Sequence, residues 1–120
     1  MESTVQHPIN RWFGVGRVAQ EIRYGKTGGG EKVCSFQVTT TSRGDRLTWV
    51  RVNVYDQALV RHVQNKVSKG NMVTVEGELM NRNKGGRGQG PQLTEVRAFV
   101  IEPLNDEGTN GDSRERLGSS

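Results

Sequence analysis

Two aromatic rings and a cation alternate along one short segment of the 120-residue chain. In the segment LTWVRVNVYD (47–56), Trp49, Arg51, Asn53 and Tyr55 occupy alternate positions, and three valines lie between them. Because successive side chains of a β-strand point to opposite faces, this pattern predicts a strand with its valines in a core and its rings outside. Along such a strand the two rings would lie about 20 Å apart.

Exposed rings at this spacing can stack on nucleic-acid bases. Such stacking contributes about 1–3 kcal/mol per base and tolerates any sequence, because every base has a π-face. Arg51, between the rings, would contact a phosphate or lie on a base. Trp, Tyr and Arg are also enriched in protein–protein interfaces, so a protein interface is the alternative for this strand alone.

Two glycine-rich segments carry cations that support the nucleic-acid interpretation. The segment Asn81–Gln92 has no acidic residue, and its cations are Arg82, Lys84 and Arg87. Beside an aromatic strand, a flexible basic loop would form a cationic wall that follows a nucleic-acid backbone. The alternative is a solvated, flexible hairpin. Lys26, in the predicted flexible loop Tyr24–Lys32, is expected to lie near the same ligand.

The elements that must position these residues are mostly short strands. Apolar alternation between polar or glycine-rich stretches predicts five of them. They are Arg11–Ala19, Val33–Thr41, Leu47–Tyr55, Met72–Met80 and Leu93–Ile101. The third and fourth are separated by a predicted helix of about 10–13 residues, in which apolar residues recur at intervals of four. Asp56 is its expected N-cap, and Lys69-Gly70 is its expected end.

This order of elements predicts an all-β fold. Strand, strand, strand, helix, strand, strand is the order of the OB-fold, a five-stranded Greek-key barrel that binds oligonucleotides with one face and its loops. A split sheet of another topology is the alternative. We expect a flexible N-terminus (1–9), one domain (10–104) and a disordered tail (105–120) that has little to bury. Ser42–Arg46 is expected to form a short hairpin turn.

Composition and charge agree with a small nucleic-acid-binding domain. Only 32% of the residues are apolar, and the single cysteine excludes an internal disulfide. The net charge is +4, and because residues 103–120 carry −2, the remainder carries +6. A basic body favours a polyanionic partner. No apolar leader or membrane-length segment is present, so no association with a membrane is expected.

The short motifs of the chain do not indicate an enzyme. The letters GVGRVA at 14–19 match a dinucleotide fingerprint, but they lie within a predicted strand and not at a strand–helix junction. The letters GKT at 25–27 lack the first glycine of a P-loop. His7, His62 and Cys34 have no recognised zinc-binding spacing. We therefore predict no catalysis, no cofactor, no metal and no small-molecule substrate.

The chain resembles the family of bacterial and mitochondrial single-stranded DNA-binding proteins. The resemblance runs from about Asn10 to Leu104, and its pieces are specific through their order and spacing. They are Asn10-Arg11 with Val15-Gly16-Arg17-Val18, Glu21-Ile22-Arg23-Tyr24, Phe36-Gln37-Val38-Thr39-Thr40, Thr48-Trp49-Val50-Arg51-Val52 with Tyr55, Lys69-Gly70, Val75-Glu76-Gly77-Glu78-Leu79 and Thr94-Glu95-Val96.

The resemblance implies a homotetramer of OB-folds that wraps single-stranded DNA without strong sequence preference, in replication, repair or recombination. Trp49 and Tyr55 fall on base-stacking positions of the family. Lys84 falls near another position that is often aromatic, and Arg43 lies in the region where a further ring is common. With two rings missing, we expect more electrostatic binding with a steep salt dependence.

Trp12 and the tail depart from the family pattern. Trp12 is an extra ring on a strand that tends to pair subunits, so either interface packing or contact with DNA is expected. The tail lacks the acidic peptide with a terminal hydrophobic residue that bacterial members use to recruit proteins. This favours a mitochondrial protein, with the bacterial cytoplasm as the alternative. An RNA-binding subunit of an organellar RNA-processing complex and a structural OB-fold subunit are the alternative functions.

Overall fold

The computed structural model describes residues 8–83 and 92–104. Within these residues, six strands and one α-helix follow one another as β1 (Trp12–Val18), β2 (Arg23–Lys26), β3 (Lys32–Thr41), β4 (Leu47–Val54), α1 (Gln57–Lys66), β5 (Met72–Asn83) and β6 (Gln92–Pro103). The predicted disordered tail, most of the predicted flexible N-terminus, and the predicted contacts Lys84 and Arg87 lie outside the described residues.

Five of the strands close into a barrel, which confirms the predicted OB-fold. Neighbouring strands are hydrogen-bonded in the order β1-β5-β6-β4-β3, and β1 also pairs with β3, which closes the ring. The β4–β6 pairing is parallel, and the others are antiparallel. Helix α1 lies between β4 and β5, the third and fourth barrel strands, as predicted.

The core is filled mainly by valines, which come from alternate strand positions of the barrel and from the buried side of α1. Those with at most 1% of their surface exposed are Val18, Val38, Val52, Val54, Val60, Val63, Val73, Val75 and Val96. Closure depends on Gly16, where β1 crosses β3. A Cβ at this position would collide with the Thr39 carbonyl oxygen and with the Val38 side chain. Gly16 therefore allows the two strands to approach each other closely. The element after β1 is strand β2 and not a helix, so the letters GVGRVA do not form a dinucleotide site.

Helix α1 begins where predicted and ends earlier than predicted. The Asp56 carboxylate accepts a hydrogen bond from the Ala58 amide at 3.2 Å, which satisfies one of the free donors at the helix N-terminus. The predicted end at Lys69-Gly70 is wrong, because Val67 already has extended backbone angles (φ −124°, ψ 135°). This conformation buries the Val67 side chain. Gly70 instead forms the turn into β5, with a positive φ of 93°.

The predicted flexible loop Tyr24–Lys32 is a β-hairpin. Strand β2 pairs antiparallel with the start of β3, with Arg23 opposite Ser35 and Lys26 opposite Lys32. The turn is closed by a hydrogen bond from the Gly30 amide to the Thr27 carbonyl at 2.9 Å. All four residues of β2 are exposed, so the segment has no apolar alternation, and backbone pairing alone makes it a strand.

The β5–β6 hairpin extends further than predicted. Strand β5 continues to Asn83 and β6 begins at Gln92, so both ends of the predicted loop Asn81–Gln92 belong to strands. These polar ends pair through their backbones, which apolar alternation does not reveal. The predicted turn at Ser42–Arg46 is confirmed, since the Ser42 amide donates to the Arg46 carbonyl at 2.7 Å. No helix in the described part of the chain is long and apolar enough to cross a membrane.

Candidate nucleic-acid interface

The two predicted stacking rings lie on the outer face of β4 and on the residue that directly follows it. Trp49 is 55% exposed and Tyr55 is 41% exposed, whereas Val52 and Val54 on the opposite face are completely buried. On β3, Thr39 lies opposite Trp49 and Gln37 lies opposite Arg51. Trp49 is therefore held by a strand whose other face packs in the core, and Tyr55 directly follows Val54, the last residue of that strand.

Asn53 departs from the predicted pattern. It shares the outer face with the rings but is only 7% exposed, because the Glu95 side chain covers it. The Asn53 Nδ2 donates to Glu95 Oε1 at 2.8 Å. Glu95 belongs to β6, which runs parallel to β4 with Val52 opposite Val96. Asn53 is therefore engaged by Glu95, and little of its side chain is accessible to a ligand.

Arg82 lies on β5 and not in a flexible basic loop, so that part of the prediction is wrong. Its Nε lies 3.1 Å from each Glu95 carboxylate oxygen, and its Nη2 lies 3.0 Å from Oε2. The hydrogen bond and the charge of Glu95 raise the pKa of Arg82 above its usual value. Arg82 stays a predicted contact, but its positive charge is already balanced by a carboxylate.

Arg51 is held across the outer face from both sides. Its Nη2 donates to Ser35 Oγ on β3 at 3.2 Å, and its Nε lies 3.9 Å from Glu95 Oε1. Nε is buried without a hydrogen-bond partner among the described residues. The side chain is 37% exposed, so part of the guanidinium remains accessible to a phosphate or a base. Arg51, Asn53, Arg82 and Glu95 form what we call the Glu95 cluster.

The Glu95 carboxylate is charged although it is only 3% exposed. Burial acts to raise the pKa of Glu95. Hydrogen bonds from Arg82 and Asn53, together with the charges of Arg82 and Arg51, outweigh burial and lower that pKa below its usual value. The carboxylate therefore stays ionised at neutral pH and joins β4, β5 and β6 on the face that carries the rings.

Arg97 is a residue of this face that no sequence motif indicated. Its Cζ lies 5.4 Å from the centroid of the Tyr55 ring, a cation–π geometry, and its Nη1 lies 3.6 Å from Glu78 Oε2. One side of the Tyr55 ring therefore faces a cation. Arg97 follows Glu95 by two residues on β6, so strand alternation was the signal that placed it on the same face.

The other predicted contacts are spread over the molecule. Trp12 lies on the core side of β1 and packs against the core, and a Cβ on Gly14 would collide with its indole. It is therefore not brought onto the outer face with Trp49. Lys26 is exposed at the end of β2, and Arg43 is exposed in the turn that precedes β4.

Sequence comparison points to one family. Residues 9–104 match the single-strand binding protein family. The single-stranded DNA-binding protein of Rickettsia felis is 30% identical over 109 residues, which cover 82% of this chain and 70% of the relative. That of Rickettsia conorii is 27% identical over 122 residues, which cover 88% of this chain and 80% of the relative.

Two solved structures share the fold. The Plasmodium falciparum single-strand binding protein in complex with single-stranded DNA has a TM-score of 0.68 at 29% identity, covering 82% of this chain and 97% of that one. The mitochondrial single-stranded DNA-binding protein of S. cerevisiae also has a TM-score of 0.68, at 17% identity, covering 82% and 96%. Since the family match spans all the strands of the barrel, the chain belongs to the single-strand binding protein family.

Proposed function

We propose that this protein binds single-stranded DNA without strong sequence preference and performs no catalysis. The observation that carries the proposal is the pair of exposed rings, Trp49 on the outer face of β4 and Tyr55 directly after this strand, with Val52 and Val54 completely buried on the inner face. The Rickettsia relatives are named as single-stranded DNA-binding proteins, and the Plasmodium falciparum structure contains single-stranded DNA. These likenesses support the same ligand here.

In this proposal the rings supply stacking and the arginines supply charge. Bases stack on Trp49 and on the side of Tyr55 that is away from Arg97. Arg51 contacts the strand between them, held by Ser35 and Glu95. Stacking on a π-face does not distinguish bases, which accounts for weak sequence preference. Coating of exposed strands in replication, repair or recombination is the role that follows.

We also propose that the protein is a homotetramer. Phe13 and Val15 on β1 are 61% and 40% exposed, and Val100 on β6 is 40% exposed. Phe13 and Val100 both lie opposite Glu76 of β5, so they share one face of the sheet. A second copy would bury this apolar surface. Light scattering after gel filtration should give four times the chain mass, and a monomer would contradict the proposal.

The compartment is a proposal as well. We favour the mitochondrial nucleoid over the bacterial cytoplasm, and relatives from bacteria and from mitochondria are both found. Imaging of the tagged full-length protein in its own cells tests this directly. Signal throughout the cytosol would contradict a mitochondrial location.

Titration of the intrinsic tryptophan fluorescence with oligo-dT, oligo-U and duplex DNA tests the ligand. Stacking on Trp49 should quench the emission, and oligo-dT should do so at much lower concentration than the other two ligands. A preference for oligo-U would make RNA the ligand. No quenching by any of them, together with no binding in an independent assay, would leave a structural role.

Substitution of the rings tests the site itself. Trp49→Ala and Tyr55→Ala should each weaken binding of a fluorescein-labelled oligo-dT about 5- to 150-fold, as expected for one lost stacking contact. Phe99→Ala is the matched control, because Phe99 is 54% exposed but lines a different cleft beside α1. Both ring variants should keep the oligomeric state of the wild type. A Trp49→Ala protein that bound normally but was monomeric would reassign this face to protein contacts.

A further inference from the structure

A cleft of about 230 Å³ opens beside Tyr55 at the end of β4. It lies between this strand and β2, and its lining includes Arg23, Gly25, Val33 and Tyr55. We propose that this cleft is the pocket for the base that stacks on Tyr55. Gly25, which has no side chain, leaves room for that base, and Arg23 contacts its phosphate. The inference rests on the proposed function, since it specifies how the same ligand is held.

The strand register places the lining of the cleft on the outer face. Arg23 of β2 lies opposite Ser35 of β3, and Ser35 lies opposite Asn53 on the outer face of β4. Two residues further along the hairpin, Gly25 lies opposite Val33. Because alternate residues of a strand share a face, both pairs belong to this face. The outer face therefore continues from β4 across β3 to β2.

The side of Tyr55 that is free for a base faces this cleft. Arg97 of β6 lies over the ring, 5.4 Å from its centroid. Strand β4 lies between β6 and β3 in the sheet, so the cleft and Arg97 are on opposite sides of β4. Continued by one residue, the β3–β4 register sets Tyr55 beside Val33. A base that stacks on Tyr55 away from Arg97 therefore enters the cleft and lies over Val33.

Gly25 has no role in the packing of the described residues. Glycine within a strand often marks a bulge or a close approach by another backbone or a ligand. The β2–β3 pairing is continuous from Arg23 to Lys26, which excludes a bulge, and the φ of Gly25 is not positive. Among the described residues, a Cβ built on Gly25 would have no atom beyond its chain neighbours within 4 Å. Close approach of a ligand is the remaining reason for a glycine here.

The spacing of the strands gives the pocket its width. Neighbouring strands are about 4.8 Å apart, so the backbones of Gly25 and Tyr55, which are two strands apart, are separated by about 10 Å. Stacked bases lie about 3.4 Å apart, so a base on the Tyr55 ring fits within this width. Any side chain at position 25 would project into the same space, because this position faces outward.

Arg23 supplies a charge at the far wall of the cleft. It is exposed and lies two residues before Gly25 on the same face of β2. Of the ion pairs found among the described residues, none involves Arg23. Arg82, in contrast, is balanced by Glu95. The Arg23 guanidinium can therefore neutralise the phosphate of the nucleotide whose base stacks on Tyr55.

A side chain added at position 25 tests the pocket. Gly25→Val introduces a β-branched residue, which strands favour, on the exposed edge strand, so the fold should be retained. Anisotropy of fluorescein-labelled oligo-dT should show a loss of about 5- to 150-fold in affinity, as expected for one blocked stacking contact. Gly28→Val is the matched control, because Gly28 lies in the turn of the same hairpin and a Cβ there is equally unobstructed. It should bind as the wild type, and urea denaturation checks that both variants are folded.

Double variants identify the base that is affected. In a Tyr55→Ala background, Gly25→Val should cost little more, because the two changes act on one contact. In a Trp49→Ala background its cost should be undiminished, because Trp49 holds a different base. Arg23→Gln adds no bulk and is an independent test. It should reduce the slope of log affinity against log salt by about 0.7, whereas Arg61→Gln, on the exposed side of α1, should not.

The outcomes distinguish this inference from the proposed function. If Trp49→Ala weakens binding but Gly25→Val binds as the wild type, or Arg23→Gln keeps the wild-type salt slope, the inference is overturned and the function stands. An equal cost of Gly25→Val with and without Tyr55→Ala would also overturn it, because the added side chain would then act on another contact. If the wild type binds no oligonucleotide, the proposed function itself fails.

Discussion

Removing the charge of Glu95 is the most informative perturbation of the outer face. The substitution Glu95→Gln preserves the shape of the side chain and leaves an amide oxygen for Asn53. It places an amide NH2 or an uncharged oxygen against the Arg82 guanidinium, whose Nε now lies 3.1 Å from both carboxylate oxygens. The Arg51 Nε, 3.9 Å from Oε1, also loses its countercharge.

The cost follows from the burial of the carboxylate. Glu95 is only 3% exposed, so water solvates its side chain very little. Solvent therefore does not compensate for the weaker hydrogen bonds that a neutral acceptor forms in place of a charged one. A hydrogen bond to a charged group contributes about 1.5–3 kcal/mol to stability, and we expect Glu95→Gln to lower the free energy of unfolding by about 2 kcal/mol. Arg82 and Arg51 are 45% and 37% exposed, so solvent limits any larger penalty.

The effect should depend on pH in a defined direction. The folded protein lowers the pKa of Glu95 below its usual value, so the folded state favours the ionised carboxylate. Its contribution is therefore complete above the pKa of an unfolded glutamate, about 4.3, and is lost as the pH falls through the lower folded value. Wild type and Glu95→Gln should differ most near pH 7 and converge in acid.

Urea denaturation at pH 7 and at several acidic values, at one protein concentration, measures this difference. Glu78→Gln is the matched control, because Glu78 is 33% exposed and pairs with Arg97 at 3.6 Å, so its loss should cost no more than about 1 kcal/mol. Equal stability of Glu95→Gln and wild type at pH 7 would refute the reasoning. A difference that persisted unchanged below the folded pKa would show that packing, and not charge, is responsible.

Three further predictions follow from the barrel, the helix and the charge balance. Gly16→Ala should destabilise the fold by about 1–3 kcal/mol in urea denaturation, because a Cβ collides with the backbone of β3; an unchanged midpoint would mean that β1 can shift. Asp56→Ala should cost about 1 kcal/mol by loss of the helix cap, and Asp56→Asn much less; equal losses would show that the cap bond at Ala58 is unimportant. In titrations at several salt concentrations, Lys26→Gln should reduce the slope of log affinity against log salt by about 0.7. The double variant Arg82→Met with Glu95→Leu should leave this slope nearly unchanged, because the Arg82–Glu95 pair is already neutral. An unchanged slope for Lys26→Gln would place Lys26 away from the DNA.

Much of the barrel was predictable because its signals are local. Alternating valines predicted β4 and its two faces, and the structure confirms exposed rings opposite buried Val52 and Val54. The Asp56 cap and the apolar repeat predicted α1. Strand β2 was missed because all of its residues are exposed, so its pairing with β3 leaves no pattern in the sequence.

The outer face was only half predictable. Trp49 and Tyr55 were found from their residue types, but the partners that surround them come from distant strands. Asn53 and Glu95 are 42 positions apart and meet only because β6 runs parallel to β4. The pairing of these strands also brings Arg82, which was expected to be a free cation, against the buried Glu95 carboxylate. It places Arg97 over the Tyr55 ring as well.

The sequence by itself therefore determined which face of β4 carries the buried valines and which carries the exposed rings, because side-chain alternation along a strand is a property of the segment alone. The tertiary structure decided which charges remain available to a ligand and which are neutralised, because that depends on which strands become neighbours when the barrel closes. Which strands become neighbours depends on the whole chain, so it cannot be predicted from the residue types and spacing of any one segment.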